Sequence, residues 1–193
     1  MTITERQLEL IEAAGKILTK TGVKSLTTKN LAKEMGFSEA AIYRHFGSKE
    51  KIIIAMLIYI AANMDERYTI TLATEENPER KFKKLFQNQF NYFGANPHFV
   101  VAVFADGLLE ESDLINQSIY KIMEVKMKHL KPIIEAGQTE GVFTSNIPTD
   151  DLIHIIMGSI RLQMYKWRVA NFKFDINKKG DEIIDSILKL IKA

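Results

Sequence analysis

The sequence predicts an all-α fold of about nine helices, with a small N-terminal helical domain followed by a larger helical domain. Apolar residues recur at three- and four-residue spacing along most of the chain, and no long segment alternates with the period of a strand. Residues that cap or start helices precede these segments, and glycines follow several of them. We place the two domains at residues 1–50 and 51–193.

The composition is that of an ordinary folded protein. The 193 residues are 46% hydrophobic and 26% charged, with a net charge of +2, which argues against disorder. The absence of cysteine excludes disulfides, thiolate zinc sites and therefore zinc fingers. The first residues are polar, and the most apolar run, 52–62, is too short to cross a bilayer. We therefore expect a cytoplasmic protein with no membrane partner.

Four helices are predicted in the first seventy residues. The first covers about 4–20 and is ended by Gly22, because glycine adopts the left-handed conformation that closes helices. The second covers 29–35, capped by Thr27 or Thr28 and ended by Gly36. The third covers 39–46 with Ser38 as its cap, and the fourth is long, from about Lys49 into the low seventies.

Five further helices are predicted in the rest of the chain. Asn-Pro pairs at 77–78 and 96–97 are start signals, since proline suits the first helical position. Pro132 lies inside a predicted helix and should kink or break it. The five are expected from Pro78, from Pro97 to about Leu109, from Ser112 to about Ala136, from Thr149 or Asp150 to about Phe172, and from Lys178 to Lys192.

The second and third helices form a helix-turn-helix, two short helices joined by a glycine-containing turn of about four residues. The small Ala32 side chain permits their close approach, and Gly36 makes the turn. Ile42 and Phe46 then point inward. This leaves Glu39, Ala40, Tyr43 and Arg44 of the third helix free for the major groove of DNA and its phosphates.

Charge supports this interpretation only weakly. Residues 1–51 carry nine Lys and Arg against six Asp and Glu, whereas the rest of the chain has a net charge of −1. A modest positive excess at the N-terminal end is compatible with contact to phosphates.

An extended motif resembles the DNA-binding domain of the TetR family of transcriptional regulators. It fits without a gap from roughly Ile3 to Lys51, and the tyrosine, the phenylalanine three residues later and the following Ser-Lys-Glu make it specific. The matching residues are Leu26-Thr27-Thr28, Leu31-Ala32, Met35-Gly36-Phe37-Ser38, Ala41-Ile42-Tyr43, His45-Phe46 and Ser48-Lys49-Glu50.

The resemblance implies that ten residues bind double-stranded operator DNA. Tyr43, His45 and Lys49 match positions that contact phosphates, while Thr28 and Lys29 begin a helix whose free N–H groups can grip one. Glu39 can accept a hydrogen bond from a cytosine amino group or cap its helix, and the two alanines beside it can touch thymine methyls or only pack. The ten are Thr28, Lys29, Ser38, Glu39, Ala40, Ala41, Tyr43, Arg44, His45 and Lys49.

The resemblance also implies that the second domain binds a small effector, which we expect to be hydrophobic. Four phenylalanines, at 82, 86, 90 and 93, share one helix face. They form either packed core or the wall of an apolar pocket, and such pockets are enlarged cores. The predicted pocket residues are Phe86, Phe90, Phe93, Phe104, Met123, Met127, Met157 and Trp167.

The last two helices carry apolar stripes with two possible roles. They form core alone, or a surface that pairs with a second copy as a four-helix bundle. A palindromic DNA site needs two helix-turn-helix copies, which favours a homodimer. The predicted interface residues are Ile160, Met164, Ile184, Ile187, Leu188 and Ile191.

The leading functional prediction is a ligand-responsive repressor that leaves a palindromic operator when the effector shifts the fourth helix. The sequence has no cysteine nucleophile, GxSxG, GxxxxGK or HExxH motif. We therefore predict no enzyme, no catalytic residue, no metal and no cofactor. The alternatives are an activator of the same fold or a helical interaction protein.

Overall fold

The computed structural model describes residues 4–104 and 112–193, except for the side chain of Val23. Within these ranges the chain forms nine α-helices and no β-strand, so the predicted all-α class is confirmed. No helix in the described part is long and apolar enough to cross a membrane. The helices are α1 Glu5–Thr21, α2 Thr28–Met35, α3 Glu39–His45, α4 Lys49–Leu72, α5 Pro78–Ala95, α6 Pro97–Phe104, α7 Asp113–Thr139, α8 Thr149–Val169 and α9 Ile176–Ile191.

The helix boundaries differ from the predictions mainly in the C-terminal part. Pro132 lies within α7 and does not break it, since α7 is one helix from Asp113 to Thr139. Helix α8 ends at Val169 and not near Phe172, because Asn171 and Phe172 adopt positive φ angles of 50° and 60°. Residues 105–109 of the predicted sixth helix lie outside the described residues.

The caps decide the remaining differences. Helix α8 has Pro148 at its N-cap and no side-chain cap, so neither Thr149 nor Asp150 takes that position. Helix α9 begins at Ile176, before the predicted Lys178, because the Asp175 side chain accepts hydrogen bonds from the backbone N–H groups of residues 177 and 178.

The chain divides into two compact units, Met1–Ala62 with Asn96–Met123, and Asn63–Ala95 with Glu124–Ala193. We call these unit 1 and unit 2. Unit 1 therefore contains the predicted domain 1–50 together with parts of the predicted domain 51–193, whereas unit 2 contains residues of the second predicted domain only. Helices α4 and α7 each contribute residues to both units.

In unit 1, helix α1 packs against both α2 and α6. The contact with α6 is close at Gly15, where an added Cβ would lie 2.7 Å from Cδ2 of the His98 ring. Nε2 of His98 is buried without a hydrogen-bond partner in the described part of the chain, and burial lowers the pKa of the ring. Neutral imidazole therefore packs between the two helices.

In unit 2, helices α5 and α8 both pack on α9. The four phenylalanines of α5 are all buried. The ring of Phe90 packs over Gly180 of α9, where a Cβ would come within 2.5 Å of it. Phe82 contacts Phe86 and Phe143 edge-on, at centroid distances of 4.9 and 6.2 Å. The stripe is therefore packed core.

Gly15→Ala tests the contact between α1 and α6. The added methyl group would overlap His98, so we expect the free energy of unfolding to fall by about 1–3 kcal/mol, as in other overpacked sites. Urea denaturation followed by circular dichroism measures it. Lys16→Ala, on the exposed side of the same helix, should stay within about 0.5 kcal/mol of the wild type. An equally stable Gly15→Ala protein would contradict the packing.

Candidate DNA interface and effector domain

The turn between α2 and α3 is fixed by local backbone and capping interactions. The Thr27 side chain caps α2 by accepting from the Asn30 N–H at 3.1 Å, which selects Thr27 from the two predicted caps. Gly36 ends α2 in the left-handed conformation (φ 67°, ψ 30°), and the Ser38 hydroxyl caps α3 by accepting from the Ala41 N–H at 3.2 Å. The predicted helix-turn-helix is therefore present.

Buried side chains set the rotation of α3. Leu31 and Ile42 are fully buried, Ala32 is also buried, and Phe46 is buried just after α3. Phe37 is half-buried, with the Arg6 guanidinium 5.1 Å from its ring centroid. Gln7 of α1 also donates to the His45 carbonyl at 3.5 Å. The opposite face of α3 is thereby turned outward.

This outward face carries most of the predicted DNA-binding residues. Tyr43 is 52% exposed, and its hydroxyl and the Glu39 carboxylate each lie 3.4 Å from the Thr28 hydroxyl. Side chains from the start of α2 and from α3 therefore come together on one surface. Of the remaining predicted residues, Lys29, Ser38, Ala40, Arg44 and His45 are exposed, and Ala41 and Lys49 are half-buried.

The predicted pocket residues do not share one environment. Phe86, Phe90, Phe93 and Phe104 are buried, whereas Met127 and Met157 are half-buried. Met123 is 43% exposed, so it does not line an enclosed cavity in this structure. The Trp167 ring is buried, and its N–H donates to the Phe174 carbonyl at 2.8 Å, which closes the turn between α8 and α9.

The six predicted interface residues require a correction. They are only 1–7% exposed within the single chain, so they belong to its own core and leave little surface for a second copy. The same two helices expose a different set of apolar side chains: Ile155, Leu162, Tyr165 and Val169 on α8 and Leu190 on α9.

A surface groove of about 450 Å³ lies between α8 and α9. It contains none of the eight predicted pocket residues. Its walls mix charged, amide and apolar side chains: Gln163, Lys166, Phe174, Lys179, Glu182, Ile183 and Ser186.

Polar contacts that no sequence pattern indicates hold α4 in unit 2. Asp65 lies 2.8 Å from Nζ of Lys128 and 2.6 Å from Nε2 of His129, both on α7. Hydrogen bonds first from Lys128 and then from His129 lower the pKa of the Asp65 carboxyl. The carboxylate therefore stays ionised and ties the two helices together.

Arg67 makes the corresponding link between α4 and α5. Its guanidinium donates to Asn63 on its own helix at 2.8 Å and to Asn88 on α5, and it stacks 3.8 Å from the ring centroid of Tyr92. Next to it, the fully buried Tyr68 hydroxyl donates to Gln89 at 3.2 Å. Burial raises the pKa of Tyr68. Such partners lie far apart in sequence, so no local pattern predicts them.

Two family profiles match this chain. The profile described as bacterial regulatory proteins, tetR family, matches residues 10–56. The profile described as YsiA-like protein, C-terminal region, matches residues 61–190.

Individual proteins show the same relationship. The nucleoid occlusion factor SlmA of Photobacterium profundum is 26% identical over 194 positions, which cover 98% of this chain and 95% of that protein. The fatty acid degradation regulator FadR of Bacillus halodurans has a similar structure, with a TM-score of 0.87, 18% identity and 97% of each chain covered. FadR of Bacillus subtilis in complex with stearoyl-CoA gives a TM-score of 0.84 at 18% identity, covering 95% of this chain and 98% of that chain.

The profile matches span the helix-turn-helix and most of the helices that follow it. They confirm the resemblance seen in the motif from Leu26 to Glu50. The chain belongs to the TetR family of bacterial regulatory proteins, and it is a DNA-binding transcriptional regulator.

Proposed function

We propose that this protein is a repressor that binds a palindromic operator as a homodimer and is released by a small, mainly apolar effector. The observation that carries the proposal is the outward face of α3, presented by a capped helix-turn-helix with a fully buried inner face. One helix-turn-helix rarely supplies enough specific affinity, so two copies on a two-fold site are needed.

The DNA contacts divide into two kinds. Tyr43, His45, Lys49 and the start of α2 contact phosphates, which position the protein on the duplex. Glu39, Ala40 and Ala41 face the base edges at the N-terminus of α3. A carboxylate can accept from cytosine and a methyl group can pack on thymine, but no side chain among these three reads guanine or adenine in a bidentate manner.

The dimer forms through the exposed stripe of α8. Ile155, Gly158, Leu162, Tyr165 and Val169 follow one another at spacings of three and four residues, so they share one helix face. Solvent exposure of so many apolar side chains on one face is a mark of an interaction surface. A two-fold contact brings this face against its own copy, and the groove between α8 and α9 receives side chains from the second subunit.

The effector binds in the helical domain, among the apolar side chains of α5, α7 and α8. The structural similarity to the Bacillus subtilis regulator in complex with stearoyl-CoA supports a long-chain acyl compound as the class to test first. The tightly packed phenylalanines of α5 then have to move apart to admit an acyl chain.

Helix α4 couples the effector to the DNA. It begins beside α3, where the Ser48 hydroxyl accepts from the Lys51 N–H at 3.2 Å, and in unit 2 Asp65 and Arg67 tie it to α7 and α5. An effector that displaces α5 or α7 therefore also displaces α4. The coupling is reciprocal, so operator DNA weakens effector binding by the same factor.

Arg44→Ala tests the DNA face. If Arg44 contacts a phosphate, its loss should weaken binding to all duplexes alike and lower the slope of log affinity against log salt concentration by about 1 per subunit. If Arg44 contacts a guanine, its loss should cost about 1–3 kcal/mol of binding free energy and relax the sequence preference at one position. Fluorescence anisotropy with duplexes from the promoter of its own gene measures both. Lys173→Ala, an exposed lysine between α8 and α9, is the control. Unchanged affinity for Arg44→Ala would remove this residue from the interface.

Leu162→Glu tests the dimer surface. Leu162 is 58% exposed in the single chain, so the charge should leave the fold intact and oppose pairing of the two α8 helices. We expect sedimentation equilibrium to show a monomer and operator affinity to fall at least tenfold. Ile70→Glu changes a similarly exposed apolar residue on α4 and should remain dimeric. A Leu162→Glu dimer of wild-type strength would exclude this surface.

Stearoyl-CoA tests the effector. In a gel-shift assay with the operator duplex, it should release the protein in a saturable manner, while coenzyme A alone should not. Repression is tested separately with a reporter under the same promoter, whose expression should rise when the gene is deleted. Release by no acyl-CoA of any chain length would reject this effector class, and a fall in reporter expression would identify an activator.

The similarity to SlmA favours a second candidate, a DNA-bound factor whose role extends beyond transcription, because that relative is named as a nucleoid occlusion factor. Chromatin immunoprecipitation distinguishes the two. A repressor should occupy a few promoters, whereas the second candidate should occupy many sites that lie away from promoters.

A further inference from the structure

Lys126 lies on the inward face of α7. Lys126, Leu130, Ile133 and Gly137 follow one another at spacings of four, three and four residues, and the last three are buried. The ammonium group is therefore carried by the stripe that packs into unit 2. By contrast, Lys128 on the same helix is exposed and paired with Asp65.

No acidic group compensates this lysine within the described part of the chain. It makes no hydrogen bond or ion pair there, and the Asp65 carboxylate is occupied by Lys128 and His129. Burial, and then the positive charge of Arg161 on α8, lower the pKa of Lys126 to about 8. A half-buried cation without a counter-charge is unfavourable, and ionisable groups perturbed in this way cluster at functional sites.

Adaptable apolar side chains stand next to Lys126 in α7 and one turn before Arg161 in α8, and Arg161 itself is exposed. Met127 follows Lys126 directly, and Met157 lies one helical turn before Arg161; both are half-buried. Methionine side chains adjust to irregular apolar ligands. A positive group beside such side chains suits a molecule with an apolar body and an anionic end.

We propose that Lys126, together with Arg161, binds the anionic head of the effector, a carboxylate or a phosphate, while the apolar chain of the effector lies among the buried side chains of unit 2. The proposal rests on the proposed effector function and adds to it the chemistry of the head group and the residue that recognises it.

Binding measurements with three ligands of equal chain length test the head group. Stearoyl-CoA offers phosphates, stearate offers a carboxylate, and octadecanol offers no charge. We expect Lys126→Met to lower the affinity for the anionic ligands that bind by about 10- to 100-fold, the size of a lost hydrogen bond to a charged group. The affinity for octadecanol should be unchanged. Lys126→Arg should retain the affinity for the anionic ligands. Lys121→Met, an exposed lysine of the same helix, is the matched control.

Two measurements on the free protein do not depend on a known effector. After reductive methylation with ¹³C-formaldehyde, the NMR signal lost in Lys126→Arg should titrate near pH 8, and its pKa should rise when an anion binds. Because the pKa is lowered from 10.5 in the folded state, the unfolded chain binds more protons between these two pH values. Lys126→Met should therefore have a higher free energy of unfolding than the wild type. This difference should be largest below pH 8 and vanish as the pH approaches 10.5.

The outcomes separate the two proposals. If stearoyl-CoA or stearate binds the wild type and Lys126→Met equally well, the head-group site is wrong while the acyl effector stands. If none of the three ligands binds the wild type, the acyl effector is wrong, and inorganic phosphate and acetate are then titrated against the Lys126 signal. A signal that neither anion moves, or a lysine that titrates at its ordinary pKa, overturns the anion site by itself.

Discussion

The burial of Ile42, on the helix that packs against α2, is the interaction on which the proposed DNA-binding surface depends. Helix α3 has only seven residues, too few to be stable alone in water. Burying one isoleucine contributes about 1.5–3 kcal/mol, and it also selects one rotation of the helix. Because Ile42 points inward and Gly36 makes the left-handed turn, the side chains of Tyr43 and Arg44 point outward. The burial of Ile42 therefore holds α3 in place and exposes the face that carries Tyr43 and Arg44.

Unit 2 is organised differently, because polar contacts accompany its apolar packing. Asp65 and Arg67 leave α4 in different directions and reach α7 and α5. Half-buried charged contacts of this kind add little to stability on balance, but they have strict geometry and therefore fix the register of one helix against another. A helix held by such contacts is suited to transmit a displacement. When one partner moves, the contact either breaks or moves the other partner with it.

Lys126 and His98 are two places where the structure keeps an ionisable group in an unfavourable setting. His98 is neutral and fills the space left by Gly15, so packing explains its burial. Packing does not explain Lys126, whose charge finds no acidic partner in the described residues. This contrast is the reason that one group is assigned to the fold and the other to a ligand.

Local sequence features are sufficient to define the helix-turn-helix of this protein, because caps, the Gly36 turn and the spacing of apolar residues act over a few neighbouring positions. Thr27, Ser38, Gly36 and Ile42 have the predicted roles in the structure. The rest depends on tertiary packing. Periodicity shows that Ile160 and Ile184 lie on apolar faces, but not whether a face meets its own chain or a second copy, and burial assigns both residues to the core. The contacts of α4 with α5 and α7, and the lack of an acidic partner for Lys126 among the described residues, likewise depend on how distant helices pack, which no local spacing encodes.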